Sequence, residues 1–174
     1  MAQKRLRAIL LKLVYKSPMS VDLSSEIELI KNFFALDVCQ RATRPLKNGI
    51  EIGLNIEGFP PVRLSKNKDR VLVDETPVKS PDMTFWIGKK GVQELSAMKT
   101  EDIGEIGVAI MKLMLSEDPD KRLTSKVHIG SLQLLTHGYL GVLPLGGSTV
   151  MKFLASKGFS SIGKIKDAIS KIRG

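Results

Sequence analysis

Two histidines, His128 and His137, and one cysteine, Cys39, are the side chains of this 174-residue sequence best suited to nucleophilic, general-base or soft-metal chemistry. Neither histidine has a cysteine or carboxylate at metal-ligand spacing. His128 falls in a strand-like stretch and His137 in a glycine-rich one. The expectation is a partly exposed strand histidine and a hydrogen-bonded helical one. Cys39 follows an apolar helical pattern without a sequence sign of activation, and reads as a small buried thiol. "LGGST", Leu145–Thr149, leads into a helix as a phosphate cradle does. No lysine follows at P-loop spacing, so Ser148 or Thr149 reads as a plain helix cap. Asp118 and Asp120 beside Glu117 read as a solvated acidic turn. No constellation for bond-making chemistry results. The chain is expected to be non-enzymatic, with no metal and no cofactor.

The elements that would position these residues follow from hydrophobic period. "SSEIELIKNFFALDV" spaces Leu23, Ile27, Ile30 and Phe34 on a helical face, with Ser24 or Ser25 as cap. In "GIEIGLNIEG", Ile50, Ile52, Leu54 and Ile56 alternate with Glu51, Gly53, Asn55 and Glu57, a half-buried strand with one wet face. "PVRLSKNKDRVLVDE" reads as strand, Lys-Asn-Lys-Asp turn and strand. "PDMTFWIG" is a fourth strand, with Met83, Phe85 and Ile87 opposite Thr84 and Trp86. "KKGVQELSAM" is a short helix. "TEDIGEIGVAIMKLMLSEDPD" is a longer one, capped by Thr100, burying Ile103, Ile106, Gly107, Ile110, Leu113 and Met114. "SKVHIGS" is a fifth strand. This order predicts an α+β fold: a five-stranded, mainly antiparallel sheet with helices packed on one face.

Between Val127 and Met151 there is no Asp, Glu, Lys or Arg. A membrane span would need ~20 consecutive apolar residues. Gly138, Gly141, Pro144, Gly146 and Gly147 break the stretch, and Gln133, Thr136 and His137 are polar. Two short helices broken at Leu143–Gly147 are expected, apolar on more than one side. They must bury surface against protein or against a carried ligand. Met83, Met98, Met111, Met114 and Met151 add adaptable apolar surface suited to flexible hydrocarbon.

The net charge of +9 is concentrated at the ends. Residues 1–20 carry Lys4, Arg5, Arg7, Lys12 and Lys16 with no acid, and the stretch from Lys152 onward carries six basic residues against Asp167. Nucleic acid, an anionic membrane surface or an acidic partner could each meet such ends. Aromatic residues for base stacking are few, and Phe85 and Trp86 sit in an apolar strand rather than among lysines, which weighs against nucleic acid. Lys12 and Lys16 interrupt the apolar run of the N-terminus and no small-residue cleavage site follows, so a cytoplasmic protein, peripheral to the membrane at most, is expected. The sole cysteine fits a reducing compartment.

From about Asn48 to Phe159 the order of elements resembles the sterol carrier protein type-two domain. The strand "GIEIGLNIEG", the Pro-Asp strand "PDMTFWIG", the helix "KKGVQELSAM" and the later "LTSKVHIGSLQLLTHGYLG" carry the resemblance. Where that family has Gly-Lys-Leu-Lys-hydrophobic-x-Gly-Asp, this chain has "TSKVHIGS". Lys126, Val127, Ile129 and Gly130 fit, Ser131 replaces the acid, and Thr124-Ser125 replaces the glycine. The resemblance implies a five-stranded sheet, helices over one face, and an apolar tunnel between them that holds a sterol, fatty acid, acyl chain or isoprenoid without transforming it. It also implies an alternative role, as an accessory factor that presents lipid intermediates to lipid-modifying enzymes in ubiquinone assembly. The lining expected for the tunnel is Phe85, Ile87, Ile106, Ile110, Met114, Leu135 and Tyr139. Residues 1–43 form an N-terminal helical extension in this reading, 44–159 the lipid-binding domain, and 160–174 a basic amphipathic helix.

Overall fold

The computed structural model describes residues 23–158. The N-terminal basic segment and the isoleucine-faced C-terminal helix expected from the sequence lie outside the described residues. Helices α1 (Leu23–Ala35) and α2 (Asp37–Ala42) precede strands β1 (Glu51–Ile56), β2 (Val62–Asn67), β3 (Arg70–Asp74) and β4 (Met83–Ile87). Then come α3 (Lys89–Ser96), α4 (Ile103–Met114), β5 (Leu123–Val127), α5 (Ser131–Thr136), α6 (Tyr139–Val142), a 3-10 turn (Leu143–Gly146) and α7 (Gly147–Ser156).

The strands form one sheet in the order β3-β2-β1-β4-β5. All pairings are antiparallel except β1 with β4, at the centre. The expected α+β class and five-stranded, mainly antiparallel sheet are therefore present, with a parallel pair that period alone does not reveal. Lys68 and Asp69 make the β2–β3 turn, and Lys68 takes the left-handed conformation with φ of 54°.

The register sorts the strand residues by face. Ile52, Leu54 and Ile56 sit beside Met83, Phe85 and Ile87 and opposite Leu64 and Val62. This is the face the helices cover. Ile27, Ile30 and Phe33 of α1, Val38 and Cys39 of α2, Val92 and Leu95 of α3, and Ile106 and Leu113 of α4 close on it as one cluster with Leu54, Ile56, Val62, Ile87 and Leu123. A second cluster, Leu46, Ile50, Ile52, Leu64 and Val71, fills the β3 side. Burial of such side chains supplies most of the folding free energy, at roughly 1.5–3 kcal/mol each. The other face is wet. Arg63 bridges Glu51 at 3.1 Å and Asp74 at 3.0 Å across three strands, and Leu72 and Trp86 remain exposed.

Two polar side chains tie α2 to the sheet. Gln40 accepts from Val71 N–H at 3.0 Å and donates to the carbonyls of Phe34 and Val71, so it occupies backbone groups of the edge strand β3. Lys66, buried on the covered face, donates to the Thr43 and Arg44 carbonyls at 2.7 and 2.8 Å, just past the end of α2. A cation at a helix C-terminus offsets the dipole and satisfies orphan carbonyls. Lys66→Met is therefore expected to lower stability by about 1–3 kcal/mol in urea unfolding, despite keeping an apolar stem of similar length. An unchanged midpoint would show that the two carbonyls are satisfied without it.

Several local expectations shift. Helix α1 already includes Leu23, so neither Ser24 nor Ser25 caps it. Asp102, not Thr100, caps α4: its Oδ1 accepts from Gly104 N–H at 2.7 Å, while the Thr100 hydroxyl accepts from Asp102 N–H. Ser148 and Thr149 lie inside α7 rather than capping it, and Thr149 donates to Asp102 across the α4–α7 contact. Strand β5 ends at Val127, so His128 lies just beyond it. The uncharged stretch folds as three helices and a 3-10 turn rather than two helices. The extra break is Gly138, whose φ is 87° and whose backbone lies so close to Pro45 that a Cβ would meet the Pro45 carbonyl oxygen at 1.8 Å. Among the described residues no helix is long and apolar enough to cross a membrane.

Candidate functional site

The expected tunnel-lining residues separate into a packed group and an open group. Ile87 and Ile106 are buried in the main cluster, and Phe85 and Ile110 pack against it half-buried. Phe85 also touches the second cluster, where the Tyr139 ring packs. Four of the seven thus share the main cluster across β4 and α4, and Tyr139 of α6 packs on the second cluster beside them. Met114 and Leu135 do not join them; they are 37% and 59% exposed.

Helix α4 explains the division. Its sequence, IGEIGVAIMKLM, is apolar apart from Glu105 and Lys112, yet only Gly104, Ile106 and Leu113 are buried. Val108, Ala109, Ile110 and Met111 are half-covered, and Met114 and Leu115 are exposed at its end. The elements against α4 are equally bare on one side: Leu143 and Leu145 of the 3-10 turn and Met151 of α7 are exposed. An apolar helix is ordinarily a buried one. This one is left half in water.

Two clefts on the described surface bear on this lining. One, of about 430 Å³, is bounded by the polar and charged residues Asp37, Gln40, Arg41, Arg44 and Asp69. The other, of about 340 Å³, lies at the end of β1, β4 and β5, bounded by Asn55, Glu57, Trp86, Ile87, Arg122 and Thr124 among others. Of the seven expected lining residues only Ile87 borders either of them.

A polar cluster that sequence reasoning missed stands at the start of β4. Asp82 is buried, and its Oδ2 accepts from His137 Nδ1 at 2.6 Å and from the Tyr139 hydroxyl at 2.9 Å. Its backbone N–H donates to Glu51 O and its carbonyl accepts from His128 N–H, which pins it between β1 and the end of β5. A carboxylate can only accept, so Nδ1 is the protonated ring nitrogen and Nε2 is left as the other polar atom of a partly exposed imidazole. Burial, with the Asp82 contact added, pushes the Tyr139 phenol well above its ordinary range and keeps it a donor. His137 is hydrogen-bonded as the sequence suggested, but it sits in the turn between α5 and α6 rather than within a helix. The Pro81-Asp82 opening of the strand was the available signal, but nothing local pointed to partners 55 and 57 residues away. His128 shares a 2.9 Å hydrogen bond with Thr84.

The remaining reactive types are quiet. Cys39 is buried in the main cluster, and burial pushes its thiol up to about 11. Asp118 accepts from the Asp120 N–H, and Asp120 pairs with Lys90 at 2.8 Å, as suits a surface turn. Among the described residues no group of three or more His, Cys, Asp or Glu is placed to hold a metal ion.

What fold and site together define is an α+β protein with a covered sheet face, a half-covered apolar helix beside it, and a buried carboxylate joining sheet to helices. Neither a protein-family profile nor a curated sequence matches the chain. Among solved structures, that of a protein named "UbiJ-SCP2 Ubiquinone synthesis protein" aligns with a TM-score of 0.38 at 14% identity, over 75% of this chain and 96% of that one.

Proposed function

We propose that the protein binds a lipid, a sterol, fatty acyl chain or isoprenoid, and carries it without chemical change. The observation that carries this reading is α4, an almost wholly apolar helix with most of its side chains half in water. A hydrocarbon ligand would complete its cover, and removing apolar surface from water contributes about 25 cal/mol per Å². In this reading the chain lies along Phe85, Ile110 and Met114. Ile87 and Ile106 form the floor, and Leu135 and Tyr139 stand at the α5–α6 end. A carrier of this kind acts in the cytoplasm and exchanges cargo at an anionic membrane surface or with lipid-modifying enzymes.

The test is direct. A fluorescent fatty acid and a fluorescent sterol are titrated into the purified full chain, with unlabelled fatty acids, sterols and isoprenols as competitors. Saturable binding with displacement by at least one class is expected, and native mass spectrometry of gently purified protein is expected to show co-purifying lipid. Absence of binding across all three classes would overturn the reading and leave a basic protein with a solid core.

A further inference from the structure

Trp86, the sole tryptophan of the sequence, stands 42% exposed on an interior strand, on the uncovered face of the sheet. A single exposed apolar side chain is ordinary. This one borders the cleft of about 340 Å³, and the side chains around it are polar and held in place. The register sets Asn55 of β1 and Thr124 of β5 on either side of Trp86 in one cross-strand row. Glu57 stays beside β4 through the bond from its N–H to Ile87 O at 3.3 Å.

The remaining wall is the segment from Ser116 to Arg122, and it is pinned. Gly88 N–H donates to Arg122 O at 3.2 Å and Gly91 N–H to Asp120 O at 3.3 Å. Gly88 packs so closely that a Cβ there would run into the Asp120 carbonyl. Arg122 donates from Nε to Ser116 O at 2.9 Å and from Nη2 to Glu117 O at 3.3 Å, which fixes the guanidinium and leaves Nη1 over. Among the described residues, the side chains of Asn55, Glu57 and Thr124 have no hydrogen-bond or ion-pair partner. A fixed wall with spare hydrogen-bonding groups is a preformed site, which binds without first paying to order itself.

The residues around the ring select the ligand. A hydrocarbon chain would take Asn55, Thr124, Glu57 and Arg122 out of water with nothing in exchange. Glu57 and Arg122 have opposite charge, so a small ion of either sign meets repulsion from one of them. A nucleic-acid strand needs a track of cations for its phosphates, and the cleft offers one, next to a carboxylate. What gains from every group is a neutral, flat heterocycle with donors and acceptors on its edge. Stacked on the indole it has the base–aromatic contact that single-strand binders use. The Asn55 amide carries the acceptor and donor that pair together with N6–H and N7 of adenine. A sugar ring would use the polar groups but brings no π face to the indole. At about 340 Å³ the cleft is at the small end of ligand sites, enough for one base.

We propose that the cleft at the end of β1, β4 and β5 binds a single adenine-type base, free or as its nucleoside, with Trp86 as the stacking platform and Asn55 reading the edge. The site is on the sheet face away from the helices, so it stands or falls independently of the lipid-binding reading.

Because the chain has one tryptophan, the emission of the full-length protein reports this cleft alone. Adenosine, inosine and methyl glucoside are titrated in turn. Saturable quenching by adenosine is expected, weaker quenching by inosine, which lacks the N6 donor, and none by methyl glucoside. Asn55→Ala is expected to keep its circular dichroism, to lower adenosine affinity roughly tenfold, and to erase the preference over inosine. Trp86→Ala, followed by calorimetry, is expected to lose adenosine by roughly tenfold or more. Should Trp86→Ala fail to fold, the wild-type titration and Asn55→Ala decide. Emission unmoved by adenosine up to its solubility limit would overturn the proposal. So would quenching by methyl glucoside in place of the bases, which would make the cleft a sugar site. Equal affinity for adenosine and inosine, unchanged by Asn55→Ala, would overturn it too, as indiscriminate stacking on an exposed ring.

Discussion

Ile106→Asp is expected to leave little folded protein, whereas Ile110→Asp, one turn further along α4, is expected to fold and to lose lipid binding. Ile106 is 5% exposed in the main cluster, among Ile87, Leu113 and the side chains of α1 and α3. A carboxylate there has no partner, so it either stays charged at a cost of several kcal/mol or takes up a proton with its pKa driven far upward. Loss of more than about 4 kcal/mol is a large share of the 5–15 kcal/mol that holds a typical domain. Ile110 is only half-buried. Its aspartate reaches water, and a cost of about 1–2 kcal/mol is expected. In the proposed ligand path, however, the same carboxylate faces hydrocarbon. Urea unfolding and fluorescent fatty-acid titration of the two variants separate the outcomes. Two variants of equal stability would show that α4 is rotated from the described register. An Ile110→Asp protein with wild-type lipid affinity would move the ligand off this helix.

This pair of variants also marks how far the sequence could be read. Period placed Ile103, Ile106, Ile110, Leu113 and Met114 on one face of a helix. The structure buries Ile106 and Leu113, half-covers Ile103 and Ile110, and exposes Met114. A hydrophobic repeat tells which side of a helix is apolar; how much protein lies over that side depends on neighbours far along the chain. For the same reason alternation found β1 and β4 and sorted Phe85 from Trp86, but not that the two strands pair in parallel. Within the charge-free stretch, glycines and Pro144 signalled short helices. The break at Gly138 became decisive only through its contact with Pro45. Caps failed in a local way: Thr100 stands two positions before Asp102, both can cap, and the hydroxyl of one simply serves the N–H of the other. Asp82 was visible only as the second residue of a Pro-Asp strand opening. Its value lies in His137 and Tyr139, brought in from after β5, and no window of sequence contains all three.

Asp82→Ala is expected to cost about 2–4 kcal/mol, with Asp82→Asn about half as damaging, because one oxygen holds two donors from a helical unit that has little else to hold it. Between them α5 and α6 bury a single side chain, Leu134. Other attachments include the backbone contacts of His137 and Gly138 with Lys47 and Pro45, and the packing of Tyr139 and Val142 on the second cluster. Removing the carboxylate strands a half-buried phenol whose pKa is already raised by burial, and frees an imidazole that was fixed through Nδ1. The asparagine keeps an acceptor for one of the two but loses the charge. Hydrogen exchange tells where the loss falls. Amides of Leu134, Tyr139 and Val142 are expected to lose protection in Asp82→Ala well before those of β1 and β2, because local opening draws on the weakest unit first. A Tyr139→Phe variant removes one of the two bonds alone, and the double variant with Asp82→Ala should cost less than the sum of the two singles, since both break the same contact. Additive losses would mean that Tyr139 and Asp82 act independently. Uniform loss of protection across the sheet would mean that Asp82 holds β4 in register rather than holding the helices down.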